Sequence, residues 1–369
     1  MNVVFRVDAS LAAGSGHVMR CLTLADALRQ QGAATLFLCR EHPGSLIGLI
    51  GGRGHRVVYL RPPGTGCLAA PEDVAHAAWL GVSWREDAEE TSAALGQARP
   101  EWLIVDHYAL DRRWEQVLRP RADKLMVIDD LADRPHDCDL LLDQNLYPDL
   151  ELRYDGLVPE HCRKFLGPAF ALLRPEFAAA HHARRERDGS VQRILIFFGG
   201  SDPSQETGKA LEALGLLNRP DIAVDIVVGG ANPRREEIRA LCAALPNLTY
   251  HCQVANMAQL MGAADLAVGA GGSTAWERCL LGLPSITLVI AENQAQTTAA
   301  VAARGATWDL GWCGDLAADD LKKAVQFALD HPHQLKEMGR RATEIMAGSG
   351  YSGTHPLLAV ILEENHATA

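Results

Sequence analysis

The sequence predicts an α/β protein built from two Rossmann-like, doubly wound domains that face each other across a cleft. Its 369 residues exceed the usual size of a single domain, and each half is long enough to bury its own core. Short apolar runs alternate with longer amphipathic stretches, a rhythm that is typical of a parallel sheet with helices between its strands. That rhythm lapses once near the middle of the chain and then restarts. These three observations together predict two α/β domains.

In the first half, five short apolar runs predict the strands of one sheet. They are Val3–Val7, Thr35–Cys39, Val57–Leu60, Leu103–Val105 and Leu125–Ile128. The charged run from His181 to Gly189 interrupts the pattern, as an exposed linker or the end of a solvated helix would. We therefore predict that residues 1–180 form the N-terminal domain.

The second half repeats the pattern over residues 190–369, which we predict as the C-terminal domain. Its strands are Ile194–Phe198, Ala223–Val228, Leu248–Tyr250, Leu266–Val268 and Ser285–Val289. A helix is expected to begin near Ser273. The last segment, from Leu321 to Glu364, is helical in pattern and is counted with this domain, although its pattern is compatible with packing on either one.

Composition excludes several classes of function. A net charge of −11 argues against binding to nucleic acid, which needs a basic face. Nine cysteines without a C-x-x-C pair fit reduced thiols, and hence a cytoplasmic location, better than a disulfide or zinc framework. The sequence shows neither a signal peptide nor an apolar run of membrane-spanning length, so no stable membrane insertion is expected. The oligomeric state stays open.

A glycine-rich loop, Asp8–His17, follows the first predicted strand and enters a helix that ends near Gly32. Gly14, Ser15 and Gly16 allow a ligand to approach the backbone closely, and the helix start favours an anion or a polar oxygen. The helix dipole disfavours a positive charge on His17, which is therefore expected to be neutral and able to act as a base. The alternative is an ordinary capping turn. A dinucleotide or P-loop site is weakly supported, because the pattern is not G-x-G-x-x-G and no Walker lysine follows.

Two polar clusters follow later strands of the same half and are expected at the same sheet edge. The first is Asp106-His107-Tyr108, and the second contains Asp129, Asp130 and Arg134. For the second cluster, substrate binding and structural pairing are equally supported. Neither cluster has an established metal-ligand spacing, so no metal site is predicted.

The C-terminal domain carries three further candidates at predicted strand ends. Gly200 and Ser201 lie in a glycine turn suited to diphosphate oxygens. Gly272 and Ser273 lead into a helix that carries Glu277 one turn inside, where its two oxygens suit a ribose diol and where a capping-box role is the alternative. Asn293 and Gln294, after the last strand, offer amides to sugar hydroxyls or form an ordinary polar surface.

These segments, in this order, resemble the GT-B group of nucleotide-sugar enzymes. The resemblance narrows to the family of UDP-2,4-diacetamido-2,4,6-trideoxy-β-L-altropyranose hydrolases of pseudaminic acid biosynthesis, and it covers nearly the whole chain. The segments that carry it are Phe5–Asp8, Gly14–His17, Asp106–Tyr108, Asp129–Leu131, Leu172–Phe177 and Gly199–Asp202. The resemblance implies hydrolysis of the anomeric bond with inversion, without a metal or cofactor, releasing UDP and a sugar destined for flagellin or surface glycans.

Carried over residue by residue, the resemblance implies that His17 is the general base and that Tyr108 and Asn293 lie in the active site. It makes Glu277 the ligand of the uridine ribose and assigns the diphosphate to Gly200-Ser201 and the following helix start. This chain departs from the family at Gln205, where asparagine is common. Asp8 and Asp106 are predicted to be substrate-binding residues. What orients His17 is left open between Asp8 and a backbone group.

Two alternative functions remain beside hydrolysis. A GT-B glycosyltransferase would pass the amino sugar from UDP to an acceptor, and a non-catalytic UDP-sugar sensor would bind without turnover. Membrane-associated glycosyltransferases usually carry an apolar patch rimmed by basic residues in the first domain. The segment Gly44–Gly54 is only mildly apolar and holds one arginine, Arg53, which favours hydrolysis.

Overall fold

The computed structural model describes residues 1–63, 74–230, 232–348 and 355–366. Contacts divide the chain into two compact units. The first consists of Met1–Asn145, Asp149–Leu172 and the end of the chain, and the second of Leu146–Pro148 and Leu173–Ser349. Each unit is an α/β domain with its own parallel sheet, as predicted.

The first unit contains a seven-stranded parallel sheet in the order β3-β2-β1-β4-β5-β6-β7. Its strands are β1 (Asn2–Val7), β2 (Ala34–Arg40), β3 (Arg56–Leu60), β4 (Trp102–Asp106), β5 (Lys124–Ile128), β6 (Leu140–Asp143) and β7 (Arg163–Leu166). Helices α1 to α4 connect the earlier strands: α1 (Gly16–Gln30), α2 (Ile47–Gly52), α3 (Trp84–Leu95) and α4 (Arg112–Leu118).

Both faces of this sheet are covered, which explains why its central strands are almost continuously apolar. Alternate side chains of β1 enter different cores: Val3 and Phe5 pack on the α1 side, whereas Val4 packs with the residues of α3 and α4. Because the strands have apolar side chains on both faces, helices must cover both faces of the sheet, which is the doubly wound arrangement.

The second unit contains a six-stranded parallel sheet in the order β10-β9-β8-β11-β12-β13. Its strands are β8 (Arg193–Phe197), β9 (Ala223–Val228), β10 (Leu248–Cys252), β11 (Leu266–Ala270), β12 (Ser285–Val289) and β13 (Trp308–Trp312). Its helices are α5 (Pro175–His182), α6 (Glu206–Leu217), α7 (Arg235–Ala243), α8 (Met257–Ala263), α9 (Thr274–Leu280), α10 (Glu292–Ala303), α11 (Ala318–Asp330) and α12 (Pro332–Ile345).

All ten predicted strands are present, and the helix expected near Ser273 is α9. Three strands were missing from the prediction: β6, β7 and β13. β6 has only four residues, and β7 and β13 are edge strands whose side chains are mostly exposed or half-buried. Short or polar edge strands lack the long apolar run that marked the others.

The division between the units differs from the predicted boundary near residues 180–190. The described chain passes from the first unit to the second at Leu172–Leu173, and the charged run after His182 follows α5 inside the second unit. The last helix, α13 (Pro356–His366), belongs to the first unit and not to the C-terminal domain in which it was predicted. Leu357 and Ile361, both fully buried, join the core that lies against α1.

Three general features concern the described residues only. All cysteines within these ranges are unpaired, and Cys252 is the exposed one among them. No helix there combines the length and apolar character needed to cross a membrane. In the same ranges, no group of three or more histidine, cysteine or acidic side chains is arranged to hold a metal ion.

Candidate functional site

The strand orders place a topological switch point in each sheet, where ligands of open α/β sheets usually bind. In the first sheet the switch point lies between β1 and β4, and in the second between β8 and β11. The loops that follow these four strands contain many of the predicted site residues.

The loop after β1 is held in a tight conformation that leads into α1. Gly14 has a φ of +74°, which favours glycine, and its N–H donates to the carbonyl of Ser10 over 2.8 Å. Ser15 is the N-cap residue and Gly16 begins the helix. An added Cβ at Gly14 or Gly16 would meet no described atom within 4 Å, so both backbone positions border open space.

His17, in the first turn of α1, is oriented by a buried carboxylate. Its Nδ1 lies 2.6 Å from Oδ1 of Asp106, the last residue of β4, which is fully buried. Because a carboxylate accepts a hydrogen bond from Nδ1–H, the pair selects the imidazole tautomer whose lone pair is on Nε2. The His17 side chain is 9% exposed.

Arg20, one turn after His17 on the same helix, neutralises the carboxylate of Asp106. Its Nε and Nη2 donate to the two oxygens of Asp106 over 2.6 and 2.7 Å, and its Nη1 donates to Asp130 over 2.9 Å. Burial alone would raise the pKa of Asp106, but the charge of Arg20 and the hydrogen bonds from Arg20 and His17 outweigh burial and lower it. Asp106 was predicted as a substrate-binding residue, whereas its contacts show it positioning His17.

Tyr108 lies directly against His17. The two rings meet edge to face with centroids 4.5 Å apart, and the Tyr108 hydroxyl donates to Asp130. Burial, followed by the charge of Asp130, raises the pKa of Tyr108 well above its usual value. The phenol is therefore a neutral hydrogen-bonding group, and the structure brings together His17 and Tyr108 as predicted.

Asp8 does not orient His17. The Asp8 carboxylate accepts a hydrogen bond from the backbone N–H of Arg40 over 2.7 Å and pairs with Arg6 over 2.8 Å. Its other oxygen lies 3.4 Å from Nε2 of His107. The candidate role of Asp8 as the partner of His17 is wrong, and its burial among these groups also speaks against the predicted substrate contact.

The residues of the cluster after β5 make pairing contacts in two separate places. Asp129 and Arg134 are buried and paired over 2.8 Å, and Arg134 also donates to the carbonyl of Leu110. This pair connects neighbouring loops. Asp130 instead belongs with Arg20 and Tyr108 to the network around His17.

In the second unit, the loop after β8 keeps its glycine turn, but the start of α6 is already occupied. Gly199 has a φ of +97°. The Asp202 carboxylate accepts from the backbone N–H groups of Glu206 and Thr207, both over 2.9 Å. The helix start predicted to hold the diphosphate is therefore capped by the chain itself, which leaves Gly200 and Ser201 as the candidates in this loop.

Gln205 stands in a left-handed conformation at the N-cap of α6, and its side-chain oxygen accepts from Arg234. The amide thus bridges to the loop after β9 instead of standing free at the turn. The same two loops also touch through their backbones, because a Cβ on Gly229 would lie 2.1 Å from the carbonyl oxygen of Gly200.

The loop after β11 packs tightly against α10. A Cβ on Gly271 would lie 2.1 Å from Oγ1 of Thr298, so only glycine fits there. Ser273 occupies the N-cap position of α9, although its side chain makes no capping hydrogen bond within the described part of the chain. The side chain of Gln294 lies beside Gly272 and accepts from the N–H of Ile290 over 3.2 Å.

Glu277 is a buried carboxylate with one oxygen bound and the other unused. Its Oε1 accepts from Nε and Nη2 of Arg174 over 3.2 and 3.0 Å. Its buried Oε2 has no hydrogen-bond partner among the described residues. Burial raises the pKa of Glu277 despite the opposing charge of Arg174. A buried acceptor without a donor is costly, and a hydroxyl group of a ligand would satisfy it.

Asn293 lies in the first turn of α10 and is half-buried, in the unit that also holds Glu277.

Sequence reasoning missed two residues that the structure makes prominent. Arg20 could have been found from its spacing of three residues from His17, which places both on one face of a helix. Arg174 gave no comparable signal, because its partner Glu277 is 103 residues away.

Comparison with known proteins supports this assignment of fold. Residues 194–349 match the Glycosyltransferase family 28 C-terminal domain. The crystal structure of Acinetobacter baumannii MurG superposes with a TM-score of 0.65, covering 98% of this chain and 99% of that one at 16% identity. The fold is GT-B, as the sequence predicted.

The similarity to two curated proteins named here extends over most of the chain. The spore coat polysaccharide biosynthesis protein SpsG of Bacillus subtilis is 26% identical over 87% of this chain and 86% of its own length. The UDP-2,4-diacetamido-2,4,6-trideoxy-beta-L-altropyranose hydrolase of Campylobacter jejuni is 26% identical over 83% of this chain and 97% of its own. The predicted resemblance to this hydrolase is confirmed.

Proposed function

We propose that the protein hydrolyses UDP-2,4-diacetamido-2,4,6-trideoxy-β-L-altropyranose to UDP and the free sugar, a step in pseudaminic acid biosynthesis. The observation that carries the proposal is the orientation of His17 by the buried carboxylate of Asp106. The identity of this substrate is supported by the similarity to the C. jejuni hydrolase over nearly the whole of that protein.

In the proposed reaction, Nε2 of His17 takes a proton from water as the water oxygen attacks the anomeric carbon. The bond between that carbon and the diphosphate oxygen breaks, and UDP leaves with the electron pair. Attack from the side opposite UDP inverts the anomeric centre. UDP is a good leaving group, so a single base suffices and no separate carboxylic acid is invoked.

The second unit is proposed to bind the nucleotide. Oε2 of Glu277 is the acceptor for the ribose hydroxyls, and the backbone around Gly200 and Ser201 is the diphosphate site. Gly272, Ser273, Gln294 and Gln205 remain proposed as neighbours of the substrate, and Asn293 as an active-site residue. No metal or cofactor takes part in this proposal.

The test is UDP release by His17→Ala with the purified UDP-sugar. We expect kcat to fall by about 10²–10⁴-fold, the usual contribution of a general base, while calorimetric binding of the substrate persists. His55→Ala is the matched control, because His55 is also buried in the first unit but pairs with Thr35 and Asp26. Near-normal turnover by His17→Ala would contradict the proposal. A chelator should leave the wild-type rate unchanged.

A second candidate is a glycosyltransferase, favoured by the match of residues 194–349 to the Glycosyltransferase family 28 C-terminal domain. A transferase would release UDP rapidly only with an acceptor present, whereas the proposed hydrolase releases it in buffer alone. A protein that binds the UDP-sugar without turnover under both conditions would be a sensor. NMR of the fresh product distinguishes inversion from retention.

A further inference from the structure

Trp79 is held near His17 by a short, firmly anchored segment. It stands on a 3-10 helix, Ala77–Leu80, in which Leu80 is 1% exposed, and the nearby Val82 is also buried. Gly81 ends this helix with a φ of +74°, and a Cβ there would lie 2.7 Å from Pro63. The indole itself is only half-buried, although the residues that anchor its segment are buried.

The indole continues a row of aromatic rings that begins at His17. The Trp79 ring lies 5.7 Å from the Tyr108 ring with only 32° between their planes, and Tyr108 lies 4.5 Å from His17. His76 touches both Trp79 and Tyr108, at 4.5 and 5.4 Å. A half-exposed aromatic surface therefore stands one ring away from the proposed base.

The other tryptophans of the first unit are engaged differently. Trp102 and Trp114 are fully buried. Trp84 is half-buried like Trp79, but the guanidinium groups of Arg85 and Arg113 lie 5.2 and 5.1 Å from its ring centroid. Trp79 thus differs from Trp84 in lying among the rings beside His17, and Trp84 offers a matched comparison.

We propose that Trp79 is a specificity-determining residue that binds the acylated, deoxygenated sugar through its apolar groups. The inference rests on the proposed function. A 2,4-diacetamido-2,4,6-trideoxy sugar carries three methyl groups in place of polar hydroxyls. Aromatic rings bind such C–H-rich surfaces well, because an indole offers a large apolar face at low entropic cost. A fully hydroxylated hexose would gain less from the same surface.

The test is saturation-transfer NMR on the UDP-sugar with four proteins: His17→Ala alone, and His17→Ala combined with Trp79→Ala, Trp79→Phe or Trp84→Ala. The His17 substitution keeps the substrate intact during measurement. We expect Trp79→Ala to remove most of the saturation of the sugar methyl signals and to weaken binding about tenfold. The uracil signals should be the same in every variant. Adding Trp84→Ala should change neither the methyl signals nor the affinity. Trp79→Phe should restore most of the effect.

Two results would overturn the inference: methyl saturation unchanged by Trp79→Ala, or loss of the uracil signals in its place, which would make Trp79 a base-stacking residue. Circular dichroism of each variant shows whether it is folded, and Trp79→Phe serves as the second variant if Trp79→Ala is not. Failure of the proposed hydrolysis is detected separately. If the hydrolysis proposal is wrong and the inference about Trp79 is right, the protein with His17 intact releases no UDP, and the methyl signals still depend on Trp79.

Discussion

At the scale of single residues, the charge balance beside His17 suits a base that becomes positive during the reaction. Asp106 and Asp130 bring two negative charges, and Arg20, which contacts both, brings one positive charge. Arg20 is always protonated, so it neutralises one carboxylate permanently. The carboxylate of Asp106, 2.6 Å from Nδ1, favours the imidazolium that forms as water loses its proton.

The register of β1 and β4 explains why Asp106, and not Asp8, holds His17. Val7 pairs with Asp106, so Asp8 lies one residue out of step. Side chains alternate between the faces of a sheet, and Asp8 therefore points to the side of its contact His107. Both aspartates follow strands in the sequence, and only the pairing of two strands about 100 residues apart distinguishes them. The sequence could find the region but could not assign the partner.

Glu277 provides a test that depends on pH. Burial raises its pKa, so acidification protonates it at a higher pH than an ordinary glutamate. Protonation removes an acceptor and the charge that pairs with Arg174. UDP affinity should therefore fall as pH falls through this raised pKa, and titration calorimetry from pH 8 downward measures it.

Glu277→Gln should weaken UDP binding by about 10–100-fold at neutral pH and abolish its pH dependence in this range. Glu206→Gln is the control, because Glu206 is also a buried glutamate in the first turn of a helix of the same unit. Equal pH dependence in Glu277→Gln and in the unaltered protein would contradict the ribose assignment.

At the scale of elements, the two helices that begin at the switch points differ in what their N-termini offer. The first N–H groups of α6 are bound by Asp202, so this helix start has no free donors at Glu206 and Thr207. The loop before α1 instead presents glycines that border open space. The glycine patterns correctly predicted both turns. They could not predict that Asp202 caps α6, because an aspartate at a helix start has several possible uses.

The two glycines of the loop before α1 are expected to matter for different reasons. Gly14 is needed for its backbone conformation, and Gly16 for the space that it leaves to the substrate. Gly14→Ala should lower the free energy of unfolding by about 1–2 kcal/mol, because its left-handed backbone disfavours a side chain. Gly16→Ala lies in the first helical position and should leave stability unchanged or slightly higher. If substrate approaches this backbone, Gly16→Ala should nevertheless raise KM. Urea unfolding and steady-state kinetics measure the two effects, and an unchanged KM would argue against contact at Gly16.

At the scale of the whole molecule, the chain leaves the first unit and returns to it with α13. The helical character of this last segment was predictable from its pattern. Its destination was not, because Leu357 and Ile361 present an apolar face that either core could bury. Periodicity shows that a face is apolar, and it does not identify the surface that covers it.

This return predicts that two matched leucine truncations destabilise different units. Leu357→Ala, in α13, should destabilise the first unit by about 2–5 kcal/mol and leave UDP affinity unchanged. Leu335→Ala, in α12, empties an equally buried site in the core of the second unit. It should lower the stability of the second unit, which UDP is expected to raise by about 2.7 kcal/mol at 100 times Kd. Urea unfolding with and without UDP measures both, and identical behaviour of the two variants would contradict separate cores.

The return of α13 also bears on the order of folding during synthesis. Domains generally fold as units, with the N-terminal one first as the chain leaves the ribosome. Here the first core includes Leu357, Leu358 and Ile361, which are made only after the whole second unit has been translated. The second unit is nearly continuous in sequence, so it can be complete while the first still exposes the apolar surface that α13 will cover. For this protein we therefore expect the N-terminal unit to reach its final form last.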